Sequence, residues 1–224
     1  MYLTVLAALS CIAAVESRII AGAVIPHGDF AFDCTLINCT NGSLSLHTEA
    51  LQLGAELAAL APDLIILSTP HGLALERDFL FYENSEASGF ANIGEDMPPN
   101  SGFQSYDATL NATLDPNVTS GLLAALAGHN VTGLSAFANS EPMALRWGEV
   151  VPLSFLNATL LPYGGKSRVV IVSQPLRRYT EAATMREELL GKLRAGGRLC
   201  MRLPQAARAL RSSPSYLALR TLVS

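Results

Sequence analysis

Two stretches decide how this chain folds: RIIAGAVIPHG at Arg18–Gly28 and DLIILSTPHG at Asp63–Gly72. Each is a short apolar run rich in Ile, Leu or Val, bounded by turn residues, and so reads as a buried β-strand. Each is closed by the same tripeptide, Pro-His-Gly. Proline cannot continue a hydrogen-bonded ladder and glycine permits a tight backbone, so His27 and His71 fall where a strand gives way to a loop.

Between the strands lie a turn cluster at Asn38–Ser43 and a helix expected from Leu46 to Ala61. Leu46, Ala50, Leu53, Leu57 and Leu60 recur on one face of it, and Pro62 ends it. The β-α-β order predicts a parallel pair with a right-handed crossover, which brings both histidines to the same sheet edge. Phe79–Tyr82, Val131–Phe137 and Arg168–Ser173 read as further strands. Ser85–Asp107, rich in Gly, Asn, Pro and Ser, reads as one long loop. Asp115-Pro116 reads as the cap and first position of a helix running to about Leu126, and Thr180–Leu193 as another helix. The expectation is an α/β fold, a three-layer single domain with a mainly parallel central sheet and helices on both faces.

Composition sets outer limits. Half of the 224 residues are hydrophobic, enough for a normal single-domain core. Residues 1–185 carry 17 acidic and 7 basic side chains, a balance of −10, whereas residues 186–224 carry 2 and 8, a balance of +6. So abrupt a reversal suggests a boundary, dividing the α/β domain at 18–185 from a divergent basic tail at 186–224. The acidic body speaks against nucleic-acid partners.

Met1–Ser17 contains an apolar run too short for a stable membrane span and ends in small residues, as a secretory signal peptide does, although no Lys or Arg precedes the run. Six of the ten asparagines (Asn38, Asn41, Asn111, Asn117, Asn130 and Asn157) stand in Asn-x-Ser/Thr. Together these point to a glycoprotein of the secretory pathway or exterior; a cytoplasmic chain with a Thr-rich surface is the alternative. Of the four cysteines, Cys34 and Cys39 are close enough to pair, and their spacing fits no zinc motif; two plain thiols are the other reading.

In open α/β sheets ligands bind at the carboxyl ends of the strands. Two histidines delivered there can share a divalent metal, although a lone histidine in such a place is more often an ordinary loop residue. Asp29 follows the first motif closely enough to orient His27 or meet an ion, and is otherwise a solvated turn residue. Glu149 either faces the same pocket or lies on the surface. His47 and His129 read as surface histidines.

Three segments, AGAVIPHGDFAFD at Ala21–Asp33, LIILSTPHGLAL at Leu64–Leu75 and LSAFANSEPMALRWGEVVPLSFL at Leu134–Leu156, resemble the class III extradiol ring-cleavage dioxygenases. The likeness is to the LigB-type catalytic subunit and its Memo-like relatives, spans roughly residues 18–185 and includes the Gly-x-x-x-Pro-Leu element at Gly148–Leu153. The resemblance implies that His27 and His71 are metal ligands, with Fe(II), or Zn in some relatives, as cofactor. It implies a small aromatic diol and dioxygen as substrates, with two imidazoles and a carboxylate forming a facial triad that leaves coordination positions open. A further histidine would handle protons near neutrality.

The chain departs from that family twice. Many members have Asp-His-Gly where this chain has Arg146-Trp147-Gly148, and an indole exchanges no protons. The family's acid/base histidine and ligating glutamate follow a strand like Arg168–Ser173, yet residues 186–224 contain no histidine and only Glu187 and Glu188 as carboxylates. That tail is therefore expected not to be the family's normal continuation but the product of a frameshift, a retained intron or a misplaced gene boundary; a diverged terminal helix pair is the alternative. Three functions follow as expectations. The first is non-haem Fe(II)-dependent oxidation of an aromatic diol, impaired in this chain. The second is a non-catalytic Memo-like metal- or peptide-binding protein. The third, a metal-dependent hydrolase, lacks an obvious general base. Homo-oligomer formation is left open.

Overall fold

The computed structural model describes residues 18–175 and the backbone of a strand at 215–221. The expected secretory segment at 1–17 and the helix expected at Thr180–Leu193 lie outside the described residues.

A six-stranded sheet forms the centre. Its strands are β1 (Arg18–Ile25), β2 (Leu64–Thr69), β3 (Phe79–Tyr82), β6 (Val131–Leu134), β8 (Arg168–Ser173) and β9 (Ser215–Thr221), in the order β1-β9-β2-β8-β3-β6. The first four in that order run parallel. β3 is antiparallel to β8, and β6 is parallel to β3. The fold is thus α/β with a mainly parallel sheet. β1 and β2 are parallel, as their sequences predict, but they are not hydrogen-bonded neighbours, because β9 lies between them. The charge reversal at residue 186 reports side chains, while a ladder is made by backbone. Part of the segment set apart as a tail therefore supplies a strand within the sheet.

The central strands are apolar on both faces, so their residues split with period two between two cores. Leu64, Ile66, Phe79, Phe81, Val170 and Val172 pack with Val118, Leu122 and Leu126 of the segment holding α3 (Pro116–Ala125). Ile65, Leu67, Leu80, Tyr82, Val169 and Ile171 face the other way. They meet Leu57 of α2 (Ser43–Ala59) and Val150, Val151 and Leu153 of α4 (Trp147–Ser154). Helices therefore cover both faces. Asp115 caps α3 as its sequence predicts, its Oδ1 accepting from Val118 N at 3.0 Å.

On the α4 side lies a second, three-stranded sheet, whose first strand falls in the stretch Ser85–Asp107 that reads as a loop in the sequence. Its strands are β4 (Glu86–Ile93), β5 (Tyr106–Thr113) and β7 (Met143–Leu145), in the order β5-β4-β7. β4 turns Ala87, Ala91 and Ile93 inward, an alternation in which two alanines stand where Val or Ile would have signalled a strand. A Cβ at Gly89 would collide with the Leu145 carbonyl of β7, so the pairing demands glycine there. The chain between β6 and β7 is held by the buried Asn84. Its Nδ2 donates to Ala136 O and Glu141 O, and its Oδ1 accepts from Ala136 N. Among the described residues, no helix is long and apolar enough to cross a membrane.

Candidate metal centre at the carboxyl edge of the sheet

His27 follows β1 and His71 follows β2, so the parallel strands deliver both to one edge. With β9 between them, the two strands are about 10 Å apart, twice the usual strand spacing. The side chains close half of that distance: the imidazole centroids are 4.9 Å apart, with the planes at 43°. His27 is only 3 % exposed.

Trp147 completes a three-ring cluster. Its indole stacks on His71 at 4.4 Å and on His27 at 4.9 Å, and is 38 % exposed, so it covers the pair from the solvent side. The sequence marks Trp147 only as a departure from a family pattern; its contact with both histidines depends on how α4 is set against β2.

That setting follows from a proline. Pro152 lies inside α4 and has no N–H, so the Gly148 carbonyl, four residues earlier, lacks its usual helical donor. Thr69 Oγ1, at the end of β2, donates to it instead at 2.8 Å. The same Oγ1 accepts from His71 N at 3.2 Å. One hydroxyl thereby fixes both the start of α4 and the backbone that carries His71. Gly148 is required for the approach, because a Cβ there would lie 2.6 Å from His71 Cβ and 3.0 Å from Thr69 Oγ1.

Glu149 is fully buried and not on the surface. Its Oε1 accepts from Tyr82 Oη at 2.8 Å, and its Oε2 accepts from Arg146 N at 2.9 Å, tying back the first turn of the helix. Tyr82 Oη also accepts from Leu73 N at 2.7 Å, which anchors the loop just past His71. Burial pushes the Glu149 carboxyl above the ordinary glutamate value, against the pull of its hydrogen bonds. Burial, then the neighbouring carboxylate, pushes the Tyr82 phenol up as well. A Cβ at Gly72 would overlap Glu149 Oε1 and come within 2.8 Å of Tyr82 Oη and Ser173 Oγ, so glycine in the second Pro-His-Gly is a packing requirement. The Ser173 hydroxyl, at the matching end of β8, is buried with no hydrogen-bond partner among the described residues.

Asp29 directs its Oδ2 to Gly94 N at 2.8 Å, joining the loop after β1 to the end of β4. His47 is half-buried, its Nδ1 lying 2.9 Å from Ala31 O, and His129 is exposed in the turn before β6. Cys34 and Cys39 form a disulfide.

The donor set can be tested against a ferrous facial triad. The adjacent imidazoles suit two positions on a common ion. The two carboxylates that the sequence offers as neighbours of the pair are otherwise engaged, Asp29 with Gly94 and Glu149 with Tyr82 and Arg146. Among the described residues no group of three His, Cys, Asp or Glu is placed to hold a metal. The described residues therefore fit two donors of the triad and not the third.

No family model matches the chain, and no curated protein matches it. Among solved structures it is similar to an uncharacterized protein from Escherichia coli K12, with 16 % identity and a TM-score of 0.36. That match covers 77 % of this chain and 50 % of the other, so this chain spans about half the length of the structure it matches.

Proposed function

We propose that the protein is an extradiol-dioxygenase-type scaffold whose paired imidazoles bind a divalent metal, Fe(II) or Zn, at the carboxyl edge of the sheet, with ring cleavage of an aromatic diol impaired. The observation that supports this reading is the 4.9 Å approach of the His27 and His71 rings from two separate parallel strands. Histidines placed only as loop punctuation have no reason to converge across an intervening strand. A bound metal would supply Lewis acidity and open positions for oxygen donors. His27 and His71 would hold such an ion, beside the Trp147 indole that stacks on both rings, and Thr69 holds the backbone of His71 in place.

That the described residues supply two donors of the triad and not the third supports impaired turnover. The second reading, a metal-binding protein without turnover, is favoured by Trp147, whose indole lies against both rings where an entering planar diol would compete with it.

The test is anaerobic titration of the full chain with Fe(II) and with Zn(II) by calorimetry, followed by a catechol and dioxygen. One ion bound per chain, lost in both His27→Ala and His71→Ala, supports the metal site. A coloured ring-opened product then supports the dioxygenase, and tight metal retention without product supports the binding protein. No metal uptake overturns both.

A further inference from the structure

We propose that the chain is N-glycosylated at Asn111, Asn117, Asn130 and one of the pair Asn38/Asn41, and that Asn157 stays bare. A glycan is attached through Nδ2 of an Asn-x-Ser/Thr asparagine, so a folded protein tolerates it only where that side chain reaches water. Asn38, Asn41, Asn111, Asn117 and Asn130 are all exposed. Asn157, in the turn Asn157–Thr159 behind α4, is half-buried, and its amide oxygen is buried with no hydrogen-bond partner among the described residues.

Local structure sharpens the assignment. Asn38 and Asn41 both adopt left-handed backbone, with φ of 52° and 53°, in the turn leading to α2. Three residues apart, they offer room for one bulky transfer. Asn111 is held by its oxygen, which accepts from Ser88 Oγ at 2.7 Å across β4–β5, leaving the amide nitrogen for attachment. Asn117 sits in the first turn of α3, following Pro116, and Asn130 in the turn before β6. The Thr119 hydroxyl of the Asn117 sequon is fully buried in the folded state, but it carries no sugar; the exposed Asn117 does.

An independent observation points to the same compartment. Cys34 and Cys39 are joined by a disulfide beside Asn38 and Asn41, and such bridges persist in oxidising, secretory surroundings. The co-reactant is an oligosaccharide linked to a lipid pyrophosphate. The asparagine nitrogen forms a bond to the anomeric carbon and loses one proton to the transferase base, and the bond from that carbon to the pyrophosphate oxygen breaks. No electrons are exchanged.

The full chain, expressed in a eukaryotic cell, is analysed by intact mass and peptide mapping before and after peptide-N-glycosidase in 18O water, which converts each formerly glycosylated asparagine to a labelled aspartate. The expected result is a glycosidase-sensitive mass, label at Asn111, Asn117, Asn130 and one of Asn38/Asn41, and none at Asn157. Asn111→Gln, Asn117→Gln and Asn130→Gln each remove one glycan step, as does the double variant N38Q/N41Q. A chain whose mass is unchanged by the glycosidase, or one labelled at Asn157, overturns the proposal.

Discussion

Thr69 and Gly148, 79 residues apart in sequence, are joined by a single buried hydrogen bond of 2.8 Å that replaces the helical donor removed by Pro152. Through the same hydroxyl, His71 N–H is held at 3.2 Å. The start of α4, which carries Trp147, and the end of β2, which carries His71, are thus set by one side chain.

Thr69→Val keeps the shape and removes the hydroxyl, taking the donor from the buried Gly148 carbonyl. The expected cost is about 2 kcal/mol in chemical denaturation. Thr69→Ser should recover most of it, and metal affinity should follow the same order as stability.

Gly72→Ala forces a methyl group into Glu149 Oε1, with Tyr82 Oη and Ser173 Oγ close behind. Overpacking of this kind costs about 1–3 kcal/mol. The loop bearing His71 should shift, and metal uptake by calorimetry should weaken by more than the stability loss alone explains.

The folded-state pKa of Glu149 is raised by burial above the ordinary 4.5. A raised carboxyl binds its proton more tightly folded than unfolded. Its contribution to stability is therefore fully present below pH 4.5 and is lost as pH rises through the folded value. Glu149→Gln should flatten that part of the stability–pH curve. On the acid side the two proteins should be similar, because the protonated carboxyl and the amide each offer one carbonyl acceptor and one donor to Tyr82 and Arg146. Denaturant midpoints measured from pH 4 upward in both proteins check the sign.

Trp147 is the only tryptophan of the chain and touches both imidazoles, so its emission reports directly on the site. Co(II) should quench it in the wild type and leave it unchanged in His27→Ala and His71→Ala. Trp147→Ala should cost about 1 kcal/mol in lost ring stacking and open the imidazole pair to solvent.

Reducing the Cys34–Cys39 disulfide, or replacing both cysteines by serine, releases a very short loop. On the chain-entropy account the loss is about 2 kcal/mol, read as a lower denaturant midpoint. The histidine pair, on other segments, should keep its metal affinity.

Some of this protein was written in its local sequence. Short apolar runs placed β1, β2, β3 and β8, the first two closed by Pro-His-Gly, and Asp115-Pro116 placed the start of α3, because those signals act over a few residues. The same punctuation put His27 and His71 at strand ends. β4 escaped because two of its three inward residues are alanine, and its strand character comes from pairing with β5 and β7 instead of from its own side chains. β9 escaped because charge was a poor guide to where a backbone ladder would take it.

The tertiary structure alone decided what the histidines have around them. The convergence of the two rings, the indole lying on both, the burial of Glu149 under Tyr82 and the tie from Thr69 to Gly148 join residues tens of positions apart. No local pattern encodes such contacts. They arise when packing the two apolar faces of the central sheet brings α4 and the second sheet against one edge, and there the backbone and side-chain groups left without partners must find one another.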